Sequence, residues 1–253
     1  MEVRRLTVEL GVPGGRVHVE ADVPMGEVPM EELLPALRAT ADAFVAHAAD
    51  ASAAAGAPVT CAKGCGACCR QLVPIGPAEA RRLAAFVEEL PEPRRAEAKR
   101  RFDEALSRLE AAGLLDVLRG GVKWDAAKAK DLGLSYFRAG VACPFLEDES
   151  CSIYEERPIA CREYLVTSPA SCCAEPTPET VRTVKLPAIV WAAAAREERG
   201  VPDSEPAPSL PLVLALTFAA ANPARGRVRS GPDTIRAVYA RFATDRTGGG
   251  GRP

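Results

Sequence analysis

Nine cysteines are the residues of this chain whose type and spacing could do chemistry. The first group packs Cys61, Cys65, Cys68 and Cys69 into nine residues, with a glycine on each side of its second member. Thiolates bind zinc and iron–sulfur clusters, and the C-x2-C step in this group is a spacing common to both. Glycines beside a ligand let the backbone turn its N–H groups toward the sulfur. We therefore interpret this loop as a metal site.

A second group of cysteines lies further along the chain. Its five members are Cys143, Cys151, Cys161, Cys172 and Cys173. Both flanks of the chain are free of cysteine, so all nine fall into the two groups. Cysteines that served only as small buried hydrophobic residues would not cluster in this way. The second group can share a site with the first only if the fold brings the two together.

The doublet Cys68-Cys69 bears on how many metals are held. Neighbouring side chains in an extended chain point to opposite sides, so both reach one ion only through a distorted turn. The simpler interpretation is that they serve different metals, or that one of them packs. Nine sulfurs would supply two four-coordinate centres with one left over. A polynuclear cluster is an equally open solution.

Two arginines lie beside the second group and are candidate cofactor-binding residues. Arg157 and Arg162 could offset the negative charge of the thiolates. The alternative is an ordinary ion pair with Glu155, Glu156 or Glu163.

Composition and motifs argue against several other functions. The 253 residues carry a formal net charge of −2, which gives no electrostatic reason to expect nucleic acid. The two histidines lie away from the cysteine groups, so Ser-His-Asp or Cys-His catalysis has no support. The sequence contains neither a G-x-x-x-x-G-K-[ST] phosphate loop nor a G-x-G-x-x-G helix start.

The sequence also bears on the compartment. The first residues lack the unbroken apolar run of a secretory signal. The longest apolar stretch, 210–221, has about 12 residues, whereas a membrane span needs about 20. We therefore expect a cytoplasmic protein with reduced thiols and no membrane partner. The odd number of cysteines also fits a disulfide scaffold poorly.

Apolar periodicity predicts a mainly α fold with a small N-terminal β element and a loop-rich cysteine core. Alternation around a Pro-Gly-Gly turn predicts a hairpin over 3–22, and helical spacing predicts helices over 30–55 and 94–112. Further along, the alternating residues 180–186 predict a strand, and Pro187 is expected to begin a helix that Gly200 ends.

The C-terminal part is predicted to add helices over 210–221 and 232–244. The expected organisation has four parts in chain order. They are a hairpin and helix over 1–56, a cysteine metal-binding domain over 57–175, a helical part packed on it over 176–245, and a disordered tail over 246–253.

The cysteine pattern resembles a known family. C-x3-C-x2-C-C, then Cys-Pro-Phe-Leu, then Cys-x-Ile-Tyr-x-x-Arg-Pro-x-x-Cys-Arg-x-Tyr, together covering about 61–165, resemble the YkgJ-type cysteine-cluster family. That family is described as a zinc- or iron-chelating domain. The resemblance implies seven metal ligands: Cys61, Cys65, Cys68, Cys69, Cys143, Cys151 and Cys161. Arg157, Pro158 and Arg162 also fall on its motif positions.

The resemblance also indicates which metal to expect. The flagellin lysine-N-methylases carry a similar cysteine domain associated with an iron–sulfur cluster, which favours iron over zinc. We expect an eighth ligand from the last cysteine pair and assign it to Cys172. Three functions stay open: a protein that stores, delivers or senses iron or zinc; an iron–sulfur enzyme for redox chemistry or side-chain modification; and a structural zinc module that binds a protein partner.

Overall fold

The computed structural model describes residues 2–120, 126–177, 179–223 and 226–244. Within them the protein is mainly helical, with a few short strands and a loop-rich cysteine region, as predicted. The tail predicted over 246–253 lies outside the described residues.

A β-hairpin opens the chain. Strands β1 (Val3–Val12) and β2 (Gly15–Pro24) pair antiparallel, and Val12 faces Gly15 across a two-residue turn. Every second residue of β2 from Val17 to Val23 is buried, because successive side chains point to opposite faces of a strand. The predicted hairpin is confirmed.

The hairpin lies on the first long helix. After β3 (Glu27–Val28), a turn of 3-10 helix over Met30–Leu33 leads into α1 (Leu34–Ala54). The apolar spacing that predicted this helix places Leu37, Ala41 and Phe44 in the interior, each fully buried.

The remaining elements are mostly short. The first cysteine group is followed by β4 (Pro74–Ile75), α2 (Pro77–Glu89), α3 (Arg94–Ala111), α4 (Leu115–Arg119) and α5 (Ala126–Arg138). The second group occupies β5 (Leu146–Glu147), β6 (Ser150–Cys151), α6 (Ile159–Glu163) and α7 (Ala170–Ala174). The chain then forms α8 (Val190–Arg199), β7 (Leu210–Pro211), α9 (Ala215–Ala221), β8 (Arg229–Ser230) and α10 (Gly231–Thr244).

One predicted strand is wrong. Residues 180–186 form only a single bridge, between Thr183 and Val166. The partner segment is too short for a ladder, because Pro169 turns the chain into α7 two residues after Thr167.

Two predicted helices begin later than expected. The helix predicted from Pro187 starts at Val190, because the residue before it is extended, and it ends at Gly200 in the left-handed conformation as predicted. The helix predicted over 210–221 starts at Ala215, because Leu210–Pro211 pairs instead with β4.

The interior is divided among packed clusters. The first, called the apolar core here, joins β1, β2, α1, α8 and α10, with Phe44 and Phe242 in edge-to-face contact at 5.2 Å. A second cluster joins α2, α3 and α9 to the segment between Cys143 and Ile153. None of the helices in the described ranges combines the length and apolarity needed to cross a bilayer.

Candidate metal centre

Eight of the nine cysteines line one cavity of about 310 Å³, called the thiol cavity here. The eight are Cys61, Cys65, Cys68, Cys69, Cys143, Cys151, Cys161 and Cys173. All nine cysteines are free thiols in the structure. The fold therefore brings together two groups that are far apart in the sequence.

The first group reaches the cavity because its loop lies tightly against the β5–β6 hairpin. A Cβ atom at Gly66 would stand 2.6 Å from both the backbone oxygen of Glu149 and Cδ1 of Leu146, so only glycine fits. Arg70, four residues later, donates to the Glu149 carboxylate at 2.9 Å. The same contact surface thus fixes the loop from two positions.

The hairpin itself carries backbone strain at its tip. Asp148 and Glu149 both have positive φ angles, of 47° and 57°, as a type I′ turn requires, although neither is glycine. The ion pair between Glu149 and Arg70 holds this conformation. Residues in such unfavourable conformations persist where the surroundings over-determine them, which is common at functional sites.

Cys143 and Cys151 enter the cavity from either side of this hairpin. The Cys143 amide donates to the Cys69 carbonyl at 2.7 Å, which links the two cysteine groups directly. The Cys143 sulfur accepts a hydrogen bond from the Phe145 amide, and the Cys151 sulfur accepts one from the Ile153 amide. Amide N–H groups aimed at sulfur stabilise a thiolate.

Cys161 lies on α6, whose first turn is held by a buried carboxylate. Glu79 accepts hydrogen bonds from the Ile159 amide at 2.8 Å and from the Gly76 amide at 3.2 Å. It therefore caps α6 and α2 together and fixes Cys161 against the cavity. Sequence analysis did not identify Glu79 as a positioning residue. Its place in the first turn of α2, two residues after Pro77, was the available signal.

Cys61 is attached to the chain that follows α6. Its sulfur accepts a hydrogen bond from the Val166 amide at 3.4 Å. Thr60 donates its amide to the Val166 carbonyl at 3.0 Å and its hydroxyl to the Ser168 carbonyl at 2.5 Å. This pairing brings Cys61 beside α7, the helix with the last two cysteines.

The structure separates the two cysteines of α7. Cys173 is buried and lines the cavity, whereas Cys172 is not among the lining residues. Consecutive side chains of an α-helix point about 100° apart, so one helix cannot aim both at the same point. The sequence pattern, which assigned Cys172, contained no feature to distinguish them.

Burial favours the protonated form of three cavity thiols, those of Cys143, Cys161 and Cys173. Burial raises the pKa of Cys143 to about 12 and that of Cys173 to about 11, and it also raises the pKa of Cys161. The Cys69 thiol donates a hydrogen bond to Cys68, which lowers the pKa of Cys68 and raises that of Cys69. Because only thiolates bind metal, a cation would have to displace these protons.

The two arginines have different positions. Arg157 lines the cavity, lies over the Tyr154 ring at 4.3 Å, and has a buried Nε without a hydrogen-bond partner among the described residues. Arg162 is buried away from the lining, where it donates to Asp42 at 2.7 Å and to the Glu155 carbonyl. Arg157 can therefore act on a ligand in the cavity. Arg162 fixes the loop that carries Arg157.

The donor set fits a soft metal. Eight sulfurs are twice the number that one tetrahedral zinc takes, and they face a space much larger than the roughly 30 Å³ of one water. Within the described residues, no group of three or more His, Cys, Asp or Glu side chains is gathered closely enough to hold one ion as it stands.

Comparisons with known proteins address the same segment. Residues 60–184 match the model of a family described as "CxxCxxCC: Putative zinc- or iron-chelating domain". No curated protein and no solved structure matches the chain significantly. The matched residues contain both cysteine groups and every residue that lines the thiol cavity except Val45 and Leu212. Metal chelation by these thiols is consistent with this match. Residues 60–184 therefore match the CxxCxxCC family of zinc- or iron-chelating domains.

Proposed function

We propose that this protein binds iron or zinc through the thiols of the cavity, and that an iron–sulfur cluster is the favoured occupant. One observation carries the proposal: eight thiols from separate segments line a single cavity of about 310 Å³. Protein interiors are otherwise close-packed, and a void of this size is comparable to the smaller ligand pockets. The cavity is therefore large enough to hold a ligand beside its thiols.

The ligands we propose are the seven cysteines named by the resemblance, together with Cys173 in place of Cys172. Cys173 is preferred because it is buried on the cavity wall, which Cys172 does not line. The Phe145, Ile153 and Val166 amides would each stabilise one thiolate, as amides do around metal-bound sulfur.

Iron–sulfur chemistry is favoured over one structural zinc for two reasons. A single zinc would use four thiolates and leave four more thiols facing the same cavity. A positive group beside the cavity, Arg157, suits a cluster with several thiolates, whose net charge is negative. Such a cluster would supply electron-transfer or structural chemistry, while the cavity thiols would hold it.

The nine free thiols suit a reducing compartment, and we propose a cytoplasmic location on that basis. Two alternatives have distinct signatures. A structural zinc module would be colourless and contain zinc without sulfide. An iron–sulfur enzyme would contain the cluster and also turn over a substrate.

Anaerobic purification followed by analysis of iron, acid-labile sulfide and zinc tests the proposal. We expect a brown protein with iron and sulfide, and a Cys65→Ser, Cys68→Ser double variant that has lost most of both. The matched control is Cys172→Ser, which should keep the metal content of the unmodified protein. Equal metal content in the double variant and the unmodified protein would refute metal binding at the cavity.

A further inference from the structure

We propose that the protein forms a dimer through the outer edge of β1, which pairs antiparallel with β1 of a second copy about a two-fold axis at Thr7. The two N-terminal hairpins would then form one four-stranded sheet. The dimer contact is independent of the metal site, since no described residue of the hairpin lines the thiol cavity.

The outer edge of β1 is long, regular and open. Within the described residues β1 pairs with β2 alone, over ten consecutive one-to-one pairs without a bulge. Most strands have about five or six residues, and natural edge strands use prolines, lysines, bulges or short length to avoid pairing with other chains. The strand Val3–Val12 contains no proline, lysine or bulge. Its edge is therefore available to a further strand.

The backbone groups on this edge point outward at every second residue. The Glu2 carbonyl accepts a hydrogen bond from the Met25 amide at 2.9 Å, so the even-numbered residues form the hydrogen-bonded pairs with β2. Because the two kinds of pair alternate along an antiparallel ladder, the odd-numbered residues direct their N–H and C=O groups away from β2. These residues are Val3, Arg5, Thr7, Glu9 and Gly11. In the described part of the chain, no backbone group bonds to that edge.

Charge selects one register for the pairing. With the two-fold axis at Thr7, Arg5 of each copy faces Glu9 of the other, because paired residues of an antiparallel ladder lie equally far from the axis. An axis at Arg5 or at Glu9 would place like charges opposite each other, which destabilises a sheet. Both side chains already have an ion-pair partner within their own chain and remain more than half exposed. Each can therefore accept a second partner from the other copy.

The same register joins the outward backbone groups of the two copies. Val3 would face Gly11, Arg5 would face Glu9, and the two Thr7 residues would face each other. Every such pair exchanges two bonds, which gives about ten main-chain hydrogen bonds. A typical specific interface has about ten direct hydrogen bonds.

The inner face of β1 shows which apolar surface the second copy would cover. The inward residues of β2 from Val17 to Val23 are all buried. Leu6, Val8 and Leu10 of β1 are only partly buried, although Leu6 and Leu10 pack against the apolar core. In the dimer Leu6 of each copy faces Val8 of the other, so these four side chains would cover one another around the axis. The apolar core would then continue across the interface.

Sedimentation equilibrium of the full chain and of two charge-reversed variants tests the proposal. We expect the unmodified protein to have twice the mass of one chain at micromolar concentrations. Arg5→Glu and Glu9→Arg each place like charges opposite each other at both ends of the pairing, so the dimer Kd should rise at least about tenfold in either variant alone. An equimolar mixture of the two variants places opposite charges at both ends and should restore the dimer.

A second pair of variants tests the edge itself. Thr7→Pro removes the outward amide at the axis and should yield a monomer, while a proline whose missing N–H faces solvent is tolerated in an edge strand. The matched control, Thr7→Ala, keeps that amide and should remain a dimer. Metal content should be unchanged in all of these variants, because the hairpin does not line the thiol cavity.

Three results would overturn the dimer as described. The first is an unmodified protein that stays monomeric at about 100 μM, far above a micromolar Kd. The second is a dimer that Thr7→Pro leaves intact, since the contact would then lie elsewhere. The third is a mixture of the charge-reversed variants that associates no better than either variant alone, which remains decisive even if Thr7→Pro does not fold.

Discussion

The apolar core and the thiol cavity are built from different residue types and different secondary structure. Apolar side chains from β1, β2, α1, α8 and α10 fill the apolar core, and Phe44 of the long helix α1 is fully buried in it. The thiol cavity is enclosed by loops, a two-stranded hairpin and helices of five residues. A core of the first kind is stable through burial alone. A region of the second kind is built from short elements and should depend more on its ligand.

The two regions are nevertheless connected. Ile159, the first residue of α6, packs in the apolar core two residues before Cys161. Glu163, at the other end of α6, accepts a hydrogen bond from the Val190 amide at 2.5 Å and so caps α8. The apolar core thus holds α6 from both ends, and α6 presents one thiol to the cavity. If this connection is strong, damage to one region should spread to the other.

Metal removal should have the largest effect. Structural zinc contributes roughly 10–16 kcal/mol of apparent binding energy in zinc-finger peptides, and that energy is coupled to folding. We expect chelation to abolish amide hydrogen-exchange protection over 57–75 and 141–174 and to leave α1 and β2 protected. Hydrogen exchange with and without metal measures this. A uniform loss of protection would show that the two regions fold as one unit.

Truncation in the apolar core should have the second largest effect. It should lower stability without removing metal from the folded protein. Phe44→Ala removes a fully buried ring that contacts Phe242, and about 3–5 kcal/mol of unfolding free energy should be lost. Metal content of the folded protein should not change. Val3→Ala, at a position 52% exposed, is the control and should shift stability by less than about 0.5 kcal/mol. Metal loss from folded Phe44→Ala would contradict the separation of the regions.

Through Glu163, the contact between α6 and α8 should be sensitive to pH. Burial raises its pKa to about 8, above its ordinary value of 4.5. The stability contributed by the neutral carboxyl is fully present below the ordinary pKa and is lost as pH rises through the folded-state pKa. Glu163→Gln stays neutral, so its unfolding free energy relative to the unmodified protein should rise between about pH 5 and pH 8. Denaturant unfolding of both metal-loaded proteins across this range measures the difference, and a difference independent of pH would contradict the assignment.

Gly66→Ala should have a smaller, local effect. The new Cβ would approach the Glu149 backbone within 2.6 Å, so the loop must move away from the hairpin at a cost of about 1–3 kcal/mol. Weaker zinc binding should accompany the lost stability, which calorimetry can measure. Gly133→Ala is the control, because no described atom lies within 4 Å of its Cβ position and alanine favours the helix. Unchanged zinc affinity in Gly66→Ala would mean that the loop does not need this contact.

Local patterns predicted the fold well where neighbours in sequence determine the structure. Alternation and a tight turn indicated the hairpin, and apolar spacing indicated α1, because both patterns depend on a few consecutive residues. The strand expected over 180–186 failed for the complementary reason. Its alternation was real, but a strand needs a partner of matching length, and the chain before α7 offers a single bridge.

The same distinction applies to the candidate site. Its residue chemistry could be predicted from the sequence, but its long-range contacts could not. Cysteine type and spacing indicated thiolate chemistry before any fold was known. Nothing in the sequence showed that Arg162 would bind Asp42 rather than a neighbouring glutamate, because these residues meet only after α1 packs on α6. The close approach of Gly66 to the hairpin likewise depends on a contact 83 residues away, with Glu149.

The sequence by itself determined the donor chemistry of this protein, because ligand preference is a property of the side-chain atoms. It also determined the elements that depend on short-range periodicity. Only the tertiary structure decided that eight thiols face one cavity and that Cys173, not Cys172, lines it. The direction of a side chain is fixed by the rotation and packing of its helix, and packing depends on contacts between residues distant in the chain.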